Sequence, residues 1–414
     1  MKIKYILVLL IMLTCAMFGA PIKLEEAYKS AIQKTEFGAI LDAQKKQYEA
    51  RIEKAGAALY SPLSLKGSYA IQQAASPSNY SDAASLALNL TQPVYQGGQL
   101  TNAIEEAKLQ QKSKEFQNAS LRLTLYASVA NSFYSVITAE KDKNNVETVI
   151  TQTKDMIIEL EKRKVIGKAK YSEVLMAEAQ LAVLESDLEG VMRSILTSRD
   201  DFAFLTGLPK DAELDGGEKA EVELKDLTYY LGAAAKRPDI SALQSDLEAA
   251  RLETVFQSAF GLPWVSLNGN YYPYRTGSSS GINWDLGLAL TFKLFDFGDT
   301  GARVKEAQYK EKEAELNLAK KKRQVEAEVK SAYGSLKSLR EQVKKLENSV
   351  DMNGKNYLEQ KKDYDFSLVT NLEVLQAMNA LQNAKKALDR IKLEVLLAGA
   401  KLLSAGALVP GETR

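Results

Sequence analysis

The chain is written twice, and this constrains its fold more than any other feature. Leu86-Ala87-Leu88-Asn89-Leu90-Thr91 and Gly98 return, at a spacing of about 200 residues, as Leu286-Gly287-Leu288-Ala289-Leu290-Thr291 and Gly298. Glu173-Val174-Leu175 and Ala177 return as Glu373-Val374-Leu375 and Ala377. Between these landmarks an apolar heptad keeps the same register: Leu125, Val129, Val136, Val146 and Ile150 match Val325, Val329, Leu336, Leu346 and Val350. The two halves therefore share one architecture, in which leucine-alternating strands are joined to very long helices.

Composition narrows the functional classes. The 414 residues hold no His, so the usual general base and the commonest nitrogen ligand for zinc or copper are missing. The single cysteine, Cys15, lies in the N-terminal apolar stretch, which leaves no intrachain disulfide. A formal net charge of +1 carries no electrostatic footprint for nucleic acid. No constellation for an enzyme, a cofactor or a metal emerges.

Lys2 and Lys4 precede an apolar run from Tyr5 to Leu13, and small residues follow at Ala16, Gly19 and Ala20, so residues 1–20 read as an export signal. The run is shorter than the roughly 18 to 20 residues that span a bilayer as a helix. Leu13-Thr14-Cys15 is a poor lipoprotein signal because Thr stands beside the Cys. If the mature chain enters a membrane, it does so with β-strands.

The first repeat is expected over 21–208: a helix from Ile22 to Leu59, strands 63–72 and 84–95, a long helix 99–164 and a return helix 171–205. At 1.5 Å per residue the long helix is a rod of roughly 100 Å. A linker at 209–223 leads to the second repeat over 224–408, with a helix from Leu224 to Phe260, strands 264–274 and 282–295, a long helix 299–362 and a return helix 371–403. Residues 409–414 remain as a tail.

The strands point to a membrane. Leu86, Leu88 and Leu90, and Leu286, Leu288 and Leu290, give one uniformly apolar face, while small and polar residues alternate on the other. A half-buried soluble sheet would show the same alternation. The aromatics clustered at the strand ends (Tyr69, Tyr95, Trp264, Tyr274, Trp284, Phe295) favour a bilayer, where they form interfacial girdles. Four strands cannot close a membrane barrel, which needs about eight, so several chains must contribute. The heptad stripes likewise need apolar neighbours.

These residues are similar to the TolC-type outer-membrane efflux protein family over nearly all the mature length. The resemblance rests on the duplicated layout, on Tyr95-Gln96-Gly97-Gly98 and Phe295-Asp296-Phe297-Gly298 at the strand-to-helix breaks, on Arg237-Pro238-Asp239-Ile240, on Leu205-Thr206-Gly207-Leu208-Pro209, and on Tyr364-Asp365-Phe366-Ser367 leading to Leu372-Glu373-Val374-Leu375. It implies a membrane protein of mixed α and β structure: a homotrimer whose 12-stranded β-barrel, four strands from each chain, continues into an α-helical coiled-coil barrel across the periplasm. It also implies a periplasmic adaptor and an inner-membrane transporter as partners, in efflux or type I secretion through the outer membrane. A periplasmic coiled-coil adaptor or scaffold is the competing reading; one hairpin rather than two copies would suit the adaptor.

Carried over by the resemblance, the two hairpin tips are the gate and adaptor-docking end, with Gly167, Lys168 and Ala169 on one and Ser367, Leu368 and Val369 on the other. Glu373 falls at an acidic constriction ring, Gln376 where a second constriction carboxylate can occur, and Glu173 and Tyr364 at an inter-helix hydrogen-bond latch. Val369 occupies a place where a latch arginine can occur, which predicts a partly apolar latch. A helix N-terminal carboxylate stabilised by the macrodipole is the alternative for Glu173 and Glu373. Lys162, Arg163, Lys164, Lys168 and Lys170 make the first tip basic, either as a solvated helix end or as a site for an acidic adaptor tip.

Overall fold

The heptad stretches form uninterrupted helices. In a computed structural model, which describes residues 21–73, 80–216, 224–276, 281–366 and 368–410, the chain runs α1 (Leu24–Lys34), α2 (Glu36–Ala57), β1 (Leu63–Gln73), β2 (Tyr80–Tyr95), α3 (Gln99–Val165), α4 (Tyr171–Thr206), α5 (Leu227–Ala234), α6 (Pro238–Ser258), β3 (Trp264–Arg275), β4 (Trp284–Thr291), α7 (Asp299–Asp365) and α8 (Asn371–Ala405). The export signal at 1–20, most of the strand-connecting loops, the later part of the expected linker and Ser367 lie outside the described residues. Among the described residues no helix is long and apolar enough to cross a membrane.

Two compact units divide the chain, and neither is a sequence repeat. The first comprises the residues to Ile40, Leu121–Arg237 and Gln324–Arg414; the second comprises Leu41–Ser120 and Pro238–Arg323. Each repeat feeds both units because α3 and α7, 67 residues each, are far longer than the width of one core.

In the first unit the heptad residues of α3 are the core: Leu125, Val129, Phe133 and Val136 are buried with Tyr28 and Ala31 of α1, Phe202 of α4, and Leu393 and Ala400 of α8. Tyr28 meets Tyr126 edge to face at a ring separation of 5.3 Å. Val325, Val329 and Leu336, expected to seek apolar neighbours in other chains, are already buried inside the protomer.

The helix expected over Ile22–Leu59 is two helices. Thr35 is extended between α1 and α2, and its Oγ1 donates to the Ala31 carbonyl while accepting from the Phe37 amide. A Cβ at Gly38 would lie 2.3 Å from the Ile32 carbonyl oxygen, so the chain can turn this closely only with glycine there. The helix expected over Leu224–Phe260 also divides, at the corresponding point of the second repeat: α5 ends at Ala234 and α6 starts at Pro238, whose ring removes an amide donor and disfavours helix in Arg237.

The arginine of that Arg-Pro-Asp motif holds the end of another helix. Arg237 Nη1 donates to the Ala405 carbonyl at the C-terminus of α8 (3.2 Å) and to Glu328 (2.8 Å). Gly207 closes α4 in the left-handed conformation (φ 66°), with its amide bonded to the Ala203 carbonyl. The start of the expected linker is anchored, since Leu214 bridges Ile22 in parallel. Val409, expected in a tail, is buried in the same core.

The second unit carries a four-stranded antiparallel sheet in the order β1-β2-β3-β4. Its register pairs Leu65 with Leu88, Leu63 with Leu90, Leu267 with Leu288, and Val265 with Leu290, which collects the large apolar side chains on one face. On the other face a polar ladder crosses every strand: Ser64 reaches Asn89, Asn89 Nδ2 donates to Asn270 (2.7 Å), and Asn270 Nδ2 donates to Asp285 (2.8 Å). The register slips between Leu86 and Leu88 opposite Pro273, and again beyond Pro93, because proline cannot donate to the ladder. β4 ends at Thr291 rather than at Phe295, since its last partner on β3 is Trp264, directly after Pro263.

Candidate functional site: the apolar sheet face and the helical tips

On β2 the alternation is matched by exposure, whereas every residue of β4 is exposed. On β2, Leu86, Leu88 and Leu90 are exposed while Ala87 and Asn89 between them are 6% and 8% exposed. On β4, Leu286, Leu288 and Leu290 are 63%, 70% and 68% exposed. Water would penalise such a surface by about 25 cal/mol per Å² of apolar area, whereas lipid would not. Aromatics continue this face towards the strand ends, with Tyr69, Tyr271 and Trp284 exposed upon it.

The second region is the pair of turns joining α3 to α4 and α7 to α8, both in the first unit. The two turns close with the same hydrogen bond. Lys168 donates its amide to the Arg163 carbonyl at 2.8 Å, and Leu368 does the same to Asp363 at 2.8 Å. Gly167 has φ +73°, a conformation glycine adopts without a Cβ penalty. Lys168 and Leu368 are exposed, and Ala169 and Val369 are half-buried at equivalent places.

Beneath the turns Val149 and Leu160 of α3, Val174 and Ala177 of α4, and Leu375 and Met378 of α8 form a separate buried cluster, with Tyr357 of α7 against it. Asn371, the first residue of α8, is 1% exposed, and neither of its amide atoms has a hydrogen-bond partner among the described residues.

The guanidinium of Arg163, one of the basic residues of the first tip, joins the two hairpins. Arg163 stacks over the Tyr364 ring at 4.1 Å, donates to the Tyr364 carbonyl at 3.3 Å and pairs with Asp365 at 3.1 Å. It also bonds Glu159 one turn back on α3. Among the described residues no hydrogen bond joins Tyr364 to Glu173 within one chain, although the two are electrostatic neighbours. Burial pushes the Tyr364 phenol above its ordinary value, the Arg163 cation opposes that rise, and Glu173 adds to it. No sequence signal could have paired Arg163 with Tyr364, because the two lie in different repeats.

Glu373 is exposed and caps its own helix. Its carboxylate accepts from the Thr370 amide (2.7 Å) and the Thr370 hydroxyl (2.9 Å), completing a capping box, and these bonds hold it below the usual carboxylate range. Gln376 is exposed one turn further along the same face. Glu173, the repeat mate, stands at the third position of α4 and is half-buried.

The chain belongs to the outer membrane efflux protein family, whose sequence model matches residues 40–208 and 230–406, one match in each repeat. It is 22% identical to outer membrane protein TolC of Vibrio cholerae over 361 residues, covering 84% of this chain and 82% of that protein. It is 26% identical over 175 residues to the alkaline protease secretion protein AprF of Pseudomonas aeruginosa, a match spanning 41% of this chain and only 36% of AprF. Among solved structures, VceC of Vibrio cholerae has a TM-score of 0.79 at 23% identity, covering 92% of this chain and 95% of that one. CusC has 0.83 at 18% identity, covering 94% and 93%. These likenesses give the chain the expected fold class and place it in the outer membrane.

Proposed function

We propose that three copies of this chain form one passive exit duct, which receives its cargo from an inner-membrane transporter through a periplasmic adaptor. It is a conduit and not an enzyme. The observation that carries this reading is the sheet: four strands that gather their leucines on one face, too few to close, and with β1 and β4 each left with a free edge among the described residues. Three such sheets joined edge to edge supply a barrel with lipid outside and the Ser64-Asn89-Asn270-Asp285 ladder inside. The curated relatives carry names from both efflux and secretion, AprF in alkaline protease secretion and TtgC of Pseudomonas putida in a toluene efflux pump, so either cargo class suits the architecture.

Within this duct the tips are the gate. Arg163, Tyr364 and Asp365 hold the two hairpins of a chain together, and Glu373 and Gln376 contribute a polar ring where the chains converge. A carboxylate fixed by two Thr370 donors is a preorganised charge, and three of them around a pore favour cations. Purified protein reconstituted into a planar bilayer tests this. Cation-preferring channels whose selectivity weakens in Glu373→Ala support the duct and its ring; the absence of any conductance in the wild-type protein refutes the duct.

A further inference from the structure

The two tips close with equivalent hydrogen bonds and carry different chemistry. Residue for residue, Lys162 to Glu173 correspond to Lys362 to Glu373, and the amide-to-carbonyl bonds closing both turns are equal in length. The first tip carries Lys162, Arg163, Lys164, Lys168 and Lys170 against Glu173, and the second carries Lys362 against Asp363, Asp365 and Glu373. The duplication preserved the closing bond and inverted the sign of the charge.

Pairing inside the chain sharpens the contrast. Arg163 is occupied by Tyr364, Asp365 and Glu159, and Lys164 by Glu161 and the Tyr171 ring. Lys162, Lys168 and Lys170 are exposed and make no ion pair among the described residues. On the second tip Lys362 is paired with Glu359, Asp365 with Arg163, and the carboxylate of Glu373 is committed to Thr370. Lys168 and Lys170 of the first tip correspond to Leu368 and Thr370 of the second. Both apices are apolar and exposed, Val165 and Ile166 on one and Phe366 and Leu368 on the other.

We propose that the first hairpin tip, unlike the second, is built for an acidic helical hairpin of the partner adaptor, with carboxylates flanking an apolar residue at its turn. This rests on the duct reading and adds the partner's chemistry and its stoichiometry. Shape alone would let one partner hairpin seat equally on both tips. Charge makes the choice, because three lysines around Val165 and Ile166 that make no ion pair among the described residues attract carboxylates, while the second tip places Leu368 and Thr370 where the first has Lys168 and Lys170. A trimer then presents three acid-selective sites. Complementary charge speeds encounter and rejects wrong partners more than it adds affinity, so the preference weakens as salt rises.

The test uses the full-length protein in detergent and two fluorescent synthetic helical hairpins that differ only at the turn, one with Glu-Leu-Glu and the other with Lys-Leu-Lys, followed by anisotropy. The acidic hairpin is expected to bind one per chain, at least tenfold tighter than the basic one and less tightly at high salt. Lys168→Glu with Lys170→Glu should cost it tenfold or more, Leu368→Ala on the second tip should change it less than twofold, and Leu368→Lys should add a second acidic site per chain. Equal binding of the two hairpins, no binding of the acidic one, or equal losses from changes on both tips would overturn the proposal. Bilayer conductance of the same preparations separates the two readings: if the channels conduct and show no charge preference, only the docking proposal falls.

Discussion

Replacing Arg163 with Ala removes the side chain that joins the hairpins, and the structure sets the size of the effect. Arg163 is 18% exposed and its partner Asp365 is 63% exposed, so this pair is worth the few tenths to 1 kcal/mol of a surface ion pair. The stacking of the guanidinium on Tyr364 at 4.1 Å adds about 1 kcal/mol in this half-buried setting. With the bond to the Tyr364 carbonyl, about 2 kcal/mol per chain crosses between the tips. The bond to Glu159 lies within α3 and contributes nothing to holding the tips together. If the tips are the gate, Arg163→Ala shifts the ratio of open to closed by roughly 30-fold for one chain, and by more if three chains open in concert. Glu159→Gln should leave the ratio nearly unchanged. Single-channel open probability measures both. An Arg163→Ala channel that opens no more often than wild type, or a Glu159→Gln effect of equal size, would refute the reasoning.

Three further outcomes follow from the same geometry. Arg at Leu288 faces lipid and should reduce outer-membrane assembly, by about 2 to 4 kcal/mol near the midplane, while Arg at Ala289 on the opposite face should assemble better; equal amounts of both in outer-membrane fractions would reverse the face assignment. Leu336→Ala empties a site that is 0% exposed inside the protomer and should cost about 2 to 5 kcal/mol of stability, read as a lowered denaturation midpoint; an unchanged midpoint would place Leu336 outside the core. Because the folded-state pKa of Glu373 is depressed, its cap is at full strength above the ordinary carboxylate range and is lost as pH falls through the lowered value. Amide protection in the first turn of α8, taken relative to the intrinsic exchange rate at each pH, should therefore fall in acid for the wild-type chain and be low at every pH in Glu373→Ala; identical protection profiles would remove the cap.

The parts of the fold that repeat were legible in the sequence. Leucine alternation and the unbroken heptads each encode a local period that survives in the folded chain, and Thr370-x-x-Glu373 carries its capping chemistry within four residues. The break at Thr35 was not legible, because no proline marks it and the glycine that permits it, Gly38, sits inside the next helix. Its counterpart at Arg237-Pro238 could have been read from the proline. The end of β4 depends on where its partner on β3 runs out, which is a pairing fact and not a property of residues 292–295. The polar ladder joins Asn89 to Asn270 across the sheet, and its repeat mate of Asn89 is Ala289, so the duplication gave no guide to it. Arg163 was read as one cation among several. Only the folded chain places it between Tyr364, Asp365 and Glu159.

The native mass of the protein extracted with detergent from washed outer membranes tests the central claim most directly. The free edges of β1 and β4, and apolar residues such as Leu196 and Phe204 left exposed on α4, require neighbouring copies. The account predicts that the protein is recovered from that fraction as a trimer. Recovery as a soluble monomer, without detergent and away from the outer membrane, would contradict it.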